Sequence, residues 1–257
     1  MSGFLFEQIV FGPVRSRRLG ISLGVNLLPS NKKHCTFNCI YCECGWSAPP
    51  EICALYPTKA EIALALEHKL SEMSSKNRML DSITYAGNGE PTLHPDFGAI
   101  TDKIIELRDR YYPEAQISLL SNASRAADPG IKEALLKIEQ PILKLDAGTE
   151  SMFNHLNQPF AKLSLNEIVT SLQDFNGKAI IQTLFVKGQY KGKFIDNTTD
   201  EEVAAWLKHI AKIEPRRVMV YPIARETPVH NLEVIPHEKL VEIADRVKQF
   251  GINVDVY

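Results

Sequence analysis

The sequence predicts an α/β fold built on a parallel β-sheet. Six short segments rich in Ile, Leu or Val have the character of buried strands, and each is followed by a stretch with helical spacing of its apolar residues. This alternation is typical of parallel strands joined by right-handed helical crossovers. A length of 257 residues, with 44% hydrophobic and 23% charged residues, suits one packed, barrel-sized domain.

The predicted strands cover residues 21–28, 82–86, 116–121, 142–146, 179–186 and 217–223. The predicted helices cover residues 59–73, 97–110, 129–138, 165–175, 201–213 and 237–250, with Thr58, Asp96 and Pro129 as start signals. Periodicity alone does not choose between a barrel and an open doubly wound sheet. In both, ligands bind at the carboxyl ends of the strands, so polar residues that directly follow a strand are the candidate site residues.

The charge pattern gives no strong indication of a nucleic-acid partner. The net charge is -2, and the local group Arg15, Arg17 and Arg18 is either a solvated surface or a contact for phosphate or carboxylate. The first residues lack a signal-peptide pattern, and no window approaches about 18 consecutive apolar residues. We therefore expect a cytoplasmic protein without a membrane partner.

The cysteines carry the most specific signal. Three of the five cysteines, Cys35, Cys39 and Cys42, lie within eight residues, which suits a metal site better than a disulfide framework. Gaps of three and two residues let three thiolates meet three corners of one 4Fe-4S cluster, leaving the fourth iron open to an external amine and carboxylate. The alternative is a structural zinc site that recruits Cys44 or Cys53; otherwise these two residues are plain thiols.

The motif Cys35-x3-Cys39-x2-Cys42, with the aromatic Tyr41 before the last cysteine, resembles the signature of the radical SAM superfamily. The resemblance implies a partial (β/α)6 barrel of parallel strands and a 4Fe-4S cluster on the three cysteines. It also implies that the open iron chelates S-adenosylmethionine (SAM), whose reductive cleavage gives a 5'-deoxyadenosyl radical that abstracts hydrogen from a substrate. An electron donor such as flavodoxin or ferredoxin is the implied partner.

Motifs after the later strands extend this resemblance. The turn Gly87-Asn88-Gly89-Glu90 resembles the family's glycine-rich GGE-type motif, with Asn88 replacing a glycine, and in relatives this motif holds the amino group of the methionine portion. After the third strand, Ser121 and Asn122 are either a turn or helix cap or a contact for ribose or carboxylate. The position of this pair in the family favours the cofactor.

Two further strands end in polar residues. Alternation places Lys144 and Asp146 on one face of a strand, where buried charges pair with each other or with a ligand. Tyr221 occupies the place of adenine and ribose contacts in relatives, or else belongs to the core. The basic run 187–193 is read as a solvated loop, with substrate contact as the alternative. The cofactor-binding candidates are therefore Tyr41, Asn88, Gly89, Glu90, Ser121, Asn122, Asp146 and Tyr221, and the metal ligands are Cys35, Cys39 and Cys42.

The pattern is most similar to stand-alone proteins related to wyosine synthases, which modify a guanine in transfer RNA. Residues 11–14, 16–20 and 87–95 carry this similarity. It implies one domain over residues 1–257, with a core at about 20–225 and a C-terminal helix and strand at 236–257. No cysteine precedes Cys35, so we expect no second cluster of the kind that tRNA-modifying relatives hold.

The substrate is left open between tRNA and a protein. Within the enzyme class, a tRNA-modifying enzyme, a glycyl-radical activase and a peptide-modifying enzyme are the alternatives. Outside that class, a zinc-dependent module that binds nucleic acid or protein is the competing hypothesis.

Overall fold

The computed structural model describes residues 4–47 and 55–257, in which strands and helices alternate. The strands are β1 Val10–Ser16, β2 Gly20–Val25, β3 Ser82–Tyr85, β4 Gln116–Ser121, β5 Gln140–Lys144, β6 Ile180–Tyr190, β7 Lys193–Asp196, β8 Arg217–Pro222, β9 Leu232–Val234 and β10 Val254–Val256. The helices are α1 Lys59–Ser75, α2 Phe97–Tyr111, α3 Pro129–Leu136, α4 Glu150–Leu156, α5 Leu165–Gln173, α6 Asp200–Ile213 and α7 His237–Lys248.

The parallel strands stand in the sheet in the order in which they occur in the chain, β2-β3-β4-β5-β6-β8-β10. A doubly wound sheet reverses its order at a switch point, and this one does not. Right-handed crossovers in such an order place the helices on one face, and α1 contacts α2, α2 contacts α3, and α6 contacts α5 and α7. Within the described residues the sheet is not closed. The predicted α/β class with a partial barrel of parallel strands is confirmed.

Two apolar layers flank the sheet. The main core fills the space between the sheet and the helices and contains the fully buried Tyr85, Phe185 and Trp206. A smaller cluster lies on the opposite face, here called the inner face, and contains Ile142, Ile180, Met219 and Leu19. Because Leu19 belongs to the β1–β2 turn and the others to β5, β6 and β8, the sheet must curve for them to meet. The inner face is therefore concave.

The structure adds elements that the sequence pattern did not predict. β1 pairs antiparallel with β2, although Gly12 and Pro13 interrupt its apolar run. Residues 187–193, read as a loop, instead form the β6–β7 hairpin. Lys191 and Gly192 have positive φ angles of 48° and 73°, as a two-residue hairpin turn requires. Among the described helices, none is long and apolar enough to cross a bilayer.

Close approach of α6 to the end of β5 depends on Gly148. A Cβ at this position would lie 2.2 Å from the carbonyl oxygen of Glu202 and 2.5 Å from the backbone nitrogen of Trp206. Backbone atoms of a packed helix cannot move aside without disturbing the core.

We therefore expect Gly148→Ala to lower the free energy of unfolding by about 1–3 kcal/mol, as overpacking does. Gly98→Ala in α2 is the matched control, because a Cβ there meets no atom within 4 Å. It should stabilise the protein by up to about 1 kcal/mol by restricting the unfolded chain. Urea-induced unfolding under reducing conditions measures both, and equal stability of the two variants would contradict the packing argument.

Candidate functional site

The three motif cysteines lie on a segment after β2, residues 34–47, here called the cysteine loop. Its first residue is paired with the glycine turn, residues 87–92, which follows β3. The backbone N–H of His34 donates to the carbonyl oxygen of Asn88 at 2.7 Å, and the N–H of Glu90 donates to that of His34 at 3.0 Å. Gly89 has φ of 143°, and a Cβ there would lie 1.9 Å from the carbonyl oxygen of His34. Only glycine fits this pairing.

A second anchor holds the middle of the cysteine loop. The N–H of Asn38 donates to the carbonyl oxygen of Asn157 at 3.1 Å, and the N–H of Ile40 donates to that of Leu156 at 3.0 Å. These acceptors lie at the C-terminal end of α4, where helix carbonyls lack intrahelical partners. The loop is thus fixed between the end of β3 and the end of α4.

The thiols of Cys35 and Cys39 are nearly buried, each 8% exposed, and Cys42 is half-buried. A side-chain amide points at each of the two buried sulfurs. The Nδ2 of Asn122 lies 3.5 Å from Cys35 Sγ, and that of Asn157 lies 3.5 Å from Cys39 Sγ. Amide hydrogen bonds to sulfur stabilise a thiolate and tune the iron that it ligates.

A buried cation accompanies the thiols. Lys33 is 6% exposed, and its Nζ donates to the carbonyl oxygen of Gly45 at 2.9 Å. Burial alone would lower the pKa of Lys33, but the negative charge that Cys42, Cys35 and Cys39 carry as thiolates raises it above its usual value. Lys33 therefore stays charged and offsets negative charge on the cysteine loop.

The thiols differ in how readily they ionise. Burial raises the pKa of Cys35 and of Cys39. The hydrogen bond from the Cys44 thiol lowers the pKa of Cys42, and Lys33 adds to this effect. Of the three motif cysteines, Cys42 is therefore the one predisposed to be a thiolate. Cys53 lies outside the described residues.

The donor set fits a 4Fe-4S cluster. Among residues 4–47 and 55–257, no three His, Cys, Asp or Glu side chains converge as ligands of a single metal ion. A cubane cluster requires a wider arrangement of ligands, because each thiolate binds a different iron and the sulfurs stand farther apart than they do around one ion. Three thiols on one buried loop, amide donors to two of them and a buried lysine supply the ligands and the charge that such a cluster needs.

Glu90 joins the glycine turn to the end of β4. Its Oε1 accepts from the hydroxyls of Thr92 and Ser121 at 2.6 and 2.8 Å, and its Oε2 accepts from the N–H of Asn122 at 2.7 Å. Burial raises the pKa of Glu90, and these hydrogen bonds offset part of the effect. The structure thus brings Glu90, Ser121 and Asn122 together beside Cys35.

The side chain of Asn88 bonds to the backbone of Phe6 and Pro29, away from the group around Glu90. Its side-chain amide donates to the carbonyl oxygens of Phe6 and Pro29, both at 2.9 Å, and its Oδ1 accepts from the N–H of Phe6 at 2.8 Å. The side chain ties the N-terminal segment to the glycine turn. Contact of Asn88 with a cofactor stays a prediction.

Asp146 accepts hydrogen bonds from three parts of the chain: the hydroxyl of Tyr41, the Nδ2 of Asn157 at 2.8 Å and the N–H of Leu184 at 2.8 Å. Burial and the neighbouring carboxylate of Asp146 raise the pKa of Tyr41, so its hydroxyl keeps the proton that it donates. The carboxylate therefore fixes the aromatic residue between Cys39 and Cys42.

Lys144 forms the ion pair with Asp146 that the strand pattern left as one alternative. The two groups are 3.7 Å apart, however, and the only hydrogen bond of the ammonium within the described residues goes to the hydroxyl of Tyr221 at 3.0 Å. Burial would lower the pKa of Lys144, but Asp146, Tyr221 and Cys39 raise it. Lys144 is therefore a cation whose ammonium has donors without a hydrogen-bond acceptor among the described residues.

Sequence reasoning missed Lys33, Asn157 and the stacking of Trp46 on Tyr190, whose ring centroids are 5.7 Å apart. Lys33 lies two residues before Cys35, but nothing in the sequence separates it from its neighbour Lys32. Asn157 lies 118 residues from the cysteine that it contacts. His94, in the segment after the glycine turn, has Pro57 and Asp96 as hydrogen-bond partners.

Solved structures share this architecture. A radical SAM methyltransferase from Sphaerobacter thermophilus matches 92% of this chain and 65% of its own, with a TM-score of 0.65 and 14% identity. SuiB of Streptococcus suis bound to its precursor peptide SuiA matches 91% of this chain and 48% of its own, with a TM-score of 0.60 and 15% identity. TYW1 with a lysine-pyruvate adduct bound matches 89% of this chain and 73% of its own, with a TM-score of 0.59 and 12% identity.

The chain has the radical SAM fold. The resemblance read from the cysteine motif is thereby confirmed at the level of the fold. Because these identities are low, the structural similarity shows the fold alone.

Sequence relatives are described mainly as UPF0026 proteins, and no protein-family model matches the chain. A UPF0026 protein of Helicobacter pylori is 33% identical over 184 residues, 70% of this chain and 57% of that protein. A GTPase Obg of Brachyspira hyodysenteriae is 30% identical over 236 residues, 90% of this chain and 32% of that protein. The chain therefore spans less than two thirds of either relative, and the GTPase description belongs to that longer protein.

The contacts of Asn157 give a test of the site's construction. Asn157→Ala removes donors to Asp146 and Cys39 in a buried environment. We expect a loss of about 1–3 kcal/mol in the free energy of unfolding, because buried acceptors are left with fewer donors.

Asn154→Ala in α4 is the matched control, since Asn154 is exposed and, among the described residues, its side chain bonds only to Glu150 of the same helix. Urea-induced unfolding under reducing conditions compares the two variants. A loss for Asn154→Ala equal to that for Asn157→Ala would show that Asn157 does not support the site.

Proposed function

We propose that this chain is a radical SAM enzyme. It cleaves SAM reductively to a 5'-deoxyadenosyl radical, which abstracts a hydrogen atom from the substrate. One observation carries the proposal: three thiols of a single buried loop, two of them facing amide donors, lie at the carboxyl edge of a sheet with the radical SAM fold. Ligands of parallel α/β sheets bind at this edge.

Cys35, Cys39 and Cys42 would hold the cluster. When bound, a 4Fe-4S cluster supplies the electron for the cleavage and an open iron that chelates the amine and carboxylate of SAM. The chain contributes the enclosure and the charge. The two backbone anchors hold the thiols in place, burial of Cys35 and Cys39 keeps water away, and Lys33 offsets the negative charge of the thiolates.

The cofactor candidates divide into two sides of the cysteine loop. Gly89, Ser121 and Asn122 lie on the side of the glycine turn and β4, and Tyr41 and Asp146 lie on the side of α4 and β6. We assign Glu90 and Asp146 a positioning role, because their oxygens already accept hydrogen bonds from neighbouring protein groups. Asn122 and the backbone of Gly89 are the better candidates for direct contact with SAM.

The chemistry requires a one-electron donor, for which a flavodoxin or ferredoxin in a reducing cytoplasm is the proposed source. Solved neighbours with this fold range from a methyltransferase to SuiB bound to a precursor peptide. A shared fold does not set the substrate. The fold therefore leaves the substrate open.

The proposal is tested by anaerobic reconstitution with iron and sulfide. We expect brown protein with about four irons per chain, which releases 5'-deoxyadenosine from SAM after reduction with dithionite. Iron analysis, absorbance and chromatography of the nucleoside are the measurements. Fully reconstituted protein that leaves SAM intact would contradict the proposal, as would zinc without iron in anaerobically purified protein.

Two cysteines of the same loop give a matched pair of variants. Cys42→Ala removes a ligand and should abolish both the cluster absorbance and the release of 5'-deoxyadenosine. Cys44→Ala leaves the three proposed ligands in place and should keep both signals. If the two variants lost metal equally, the site would need four thiols, as a closed zinc site does.

A further inference from the structure

Polar side chains line the inner face of the sheet next to its apolar cluster. Lys144 of β5 and Gln182 of β6 are register partners, so their side chains stand beside each other. Ile142 and Ile180, two residues earlier on the same strands, belong to the inner apolar cluster. Because strand residues alternate between faces, Lys144 and Gln182 point into the same concave space.

Two buried donors in this region have no acceptor in the described part of the chain. Gln182 is 5% exposed, and among residues 4–47 and 55–257 its Nε2 has no hydrogen-bond partner. The buried Nη1 of Arg18, from the β1–β2 turn, likewise has none within that part of the chain. Buried donors in proteins are almost always paired. The unpaired amide of Gln182 and the unpaired guanidinium nitrogen of Arg18 are donors that the oxygen atoms of a bound ligand would satisfy.

Two cations lie close to the ring of Tyr221. The guanidinium of Arg18 lies 4.6 Å from the centroid of the Tyr221 ring, and the ammonium of Lys144 lies 5.5 Å from the same centroid. Asp146, the carboxylate that faces Lys144, already accepts from Tyr41, Asn157 and Leu184. Two cations thus flank the ring of Tyr221, Gln182 stands beside one of them, and the carboxylate that faces Lys144 is occupied.

We propose that Arg18, Lys144, Gln182 and Tyr221 form a binding site for an anionic oxygen group of the substrate, a carboxylate or a phosphate. A planar guanidinium together with an ammonium and an amide is the donor set that such groups prefer. This assignment rests on the proposed function, because it takes the radical to form at the adjacent cysteine loop. The ammonium of Lys144 lies 5.1 Å from the ring centroid of Tyr41, so the rest of an anchored substrate would lie next to that loop.

The test uses anaerobic holoprotein saturated with SAM, and inorganic phosphate and acetate as probes. The thermal unfolding midpoint is followed against the concentration of each anion, with sodium chloride at matched ionic strength as reference. We expect a saturable rise with at least one probe, and the stronger probe tells whether the site prefers phosphate or carboxylate. If neither anion raises the midpoint above chloride, the proposal is wrong.

Variants locate the binding. Arg18→Gln should weaken binding of the effective anion about tenfold or more, as loss of a charged hydrogen bond does. Arg17→Gln is the matched control, because Arg17 is the exposed neighbour on the same turn. Gln182→Leu should raise the unfolding midpoint measured without anion, since it removes an unpaired buried donor. It should also weaken binding of the effective anion. Binding to Arg18→Gln as tight as to wild type would overturn the proposal.

A comparison with and without SAM separates this site from that of the cofactor. If the anion raises the midpoint only in the absence of SAM, it occupies the cofactor's own carboxylate position and the proposal fails. If the rise persists with SAM, the two sites are distinct. Failure of the proposed function appears elsewhere, as wild-type protein that releases no 5'-deoxyadenosine.

Discussion

The backbone pairing between the cysteine loop and the glycine turn is the constraint on which the site depends. An irregular buried segment must find partners for its N–H and C=O groups, and His34 finds both on residues 88 and 90. That pairing brings backbone so close to Gly89 that no side chain fits there. The positions of Cys35, Glu90 and Asn122 follow from it, because Glu90 reaches the end of β4 and Asn122 reaches back to Cys35.

Most of the fold could be predicted from the sequence because buried parallel strands and their helices have distinct apolar patterns. All six predicted strand-and-helix units are present. The elements that escaped prediction lack such a pattern. β1 is interrupted by Gly12 and Pro13, and the β6–β7 hairpin is rich in lysine and glycine, so its sequence looks like that of a loop. Whether the sheet closes depends on strand order, which no single segment encodes.

The candidate site was predictable to a lesser degree. Polar residues after consecutive strands do meet at one edge, as the parallel topology requires, and Glu90 lies beside Ser121 and Asn122. The contacts of the individual side chains could not be predicted from the sequence. Asn88 lies in the motif but binds the N-terminal segment, while Asn157 lies in no motif and contacts Cys39. Such contacts depend on tertiary distances between residues far apart in the chain.

The stacking of Trp46 on Tyr190 has a spectroscopic consequence. The chain has two tryptophans. Trp206 is 1% exposed and donates to the carbonyl oxygen of Leu145, whereas Trp46 is 40% exposed and lies at the end of the cysteine loop. A water-soluble quencher therefore reaches Trp46 but not Trp206. Collisional quenching of tryptophan fluorescence thus reports on the cysteine loop and not on the packed interior.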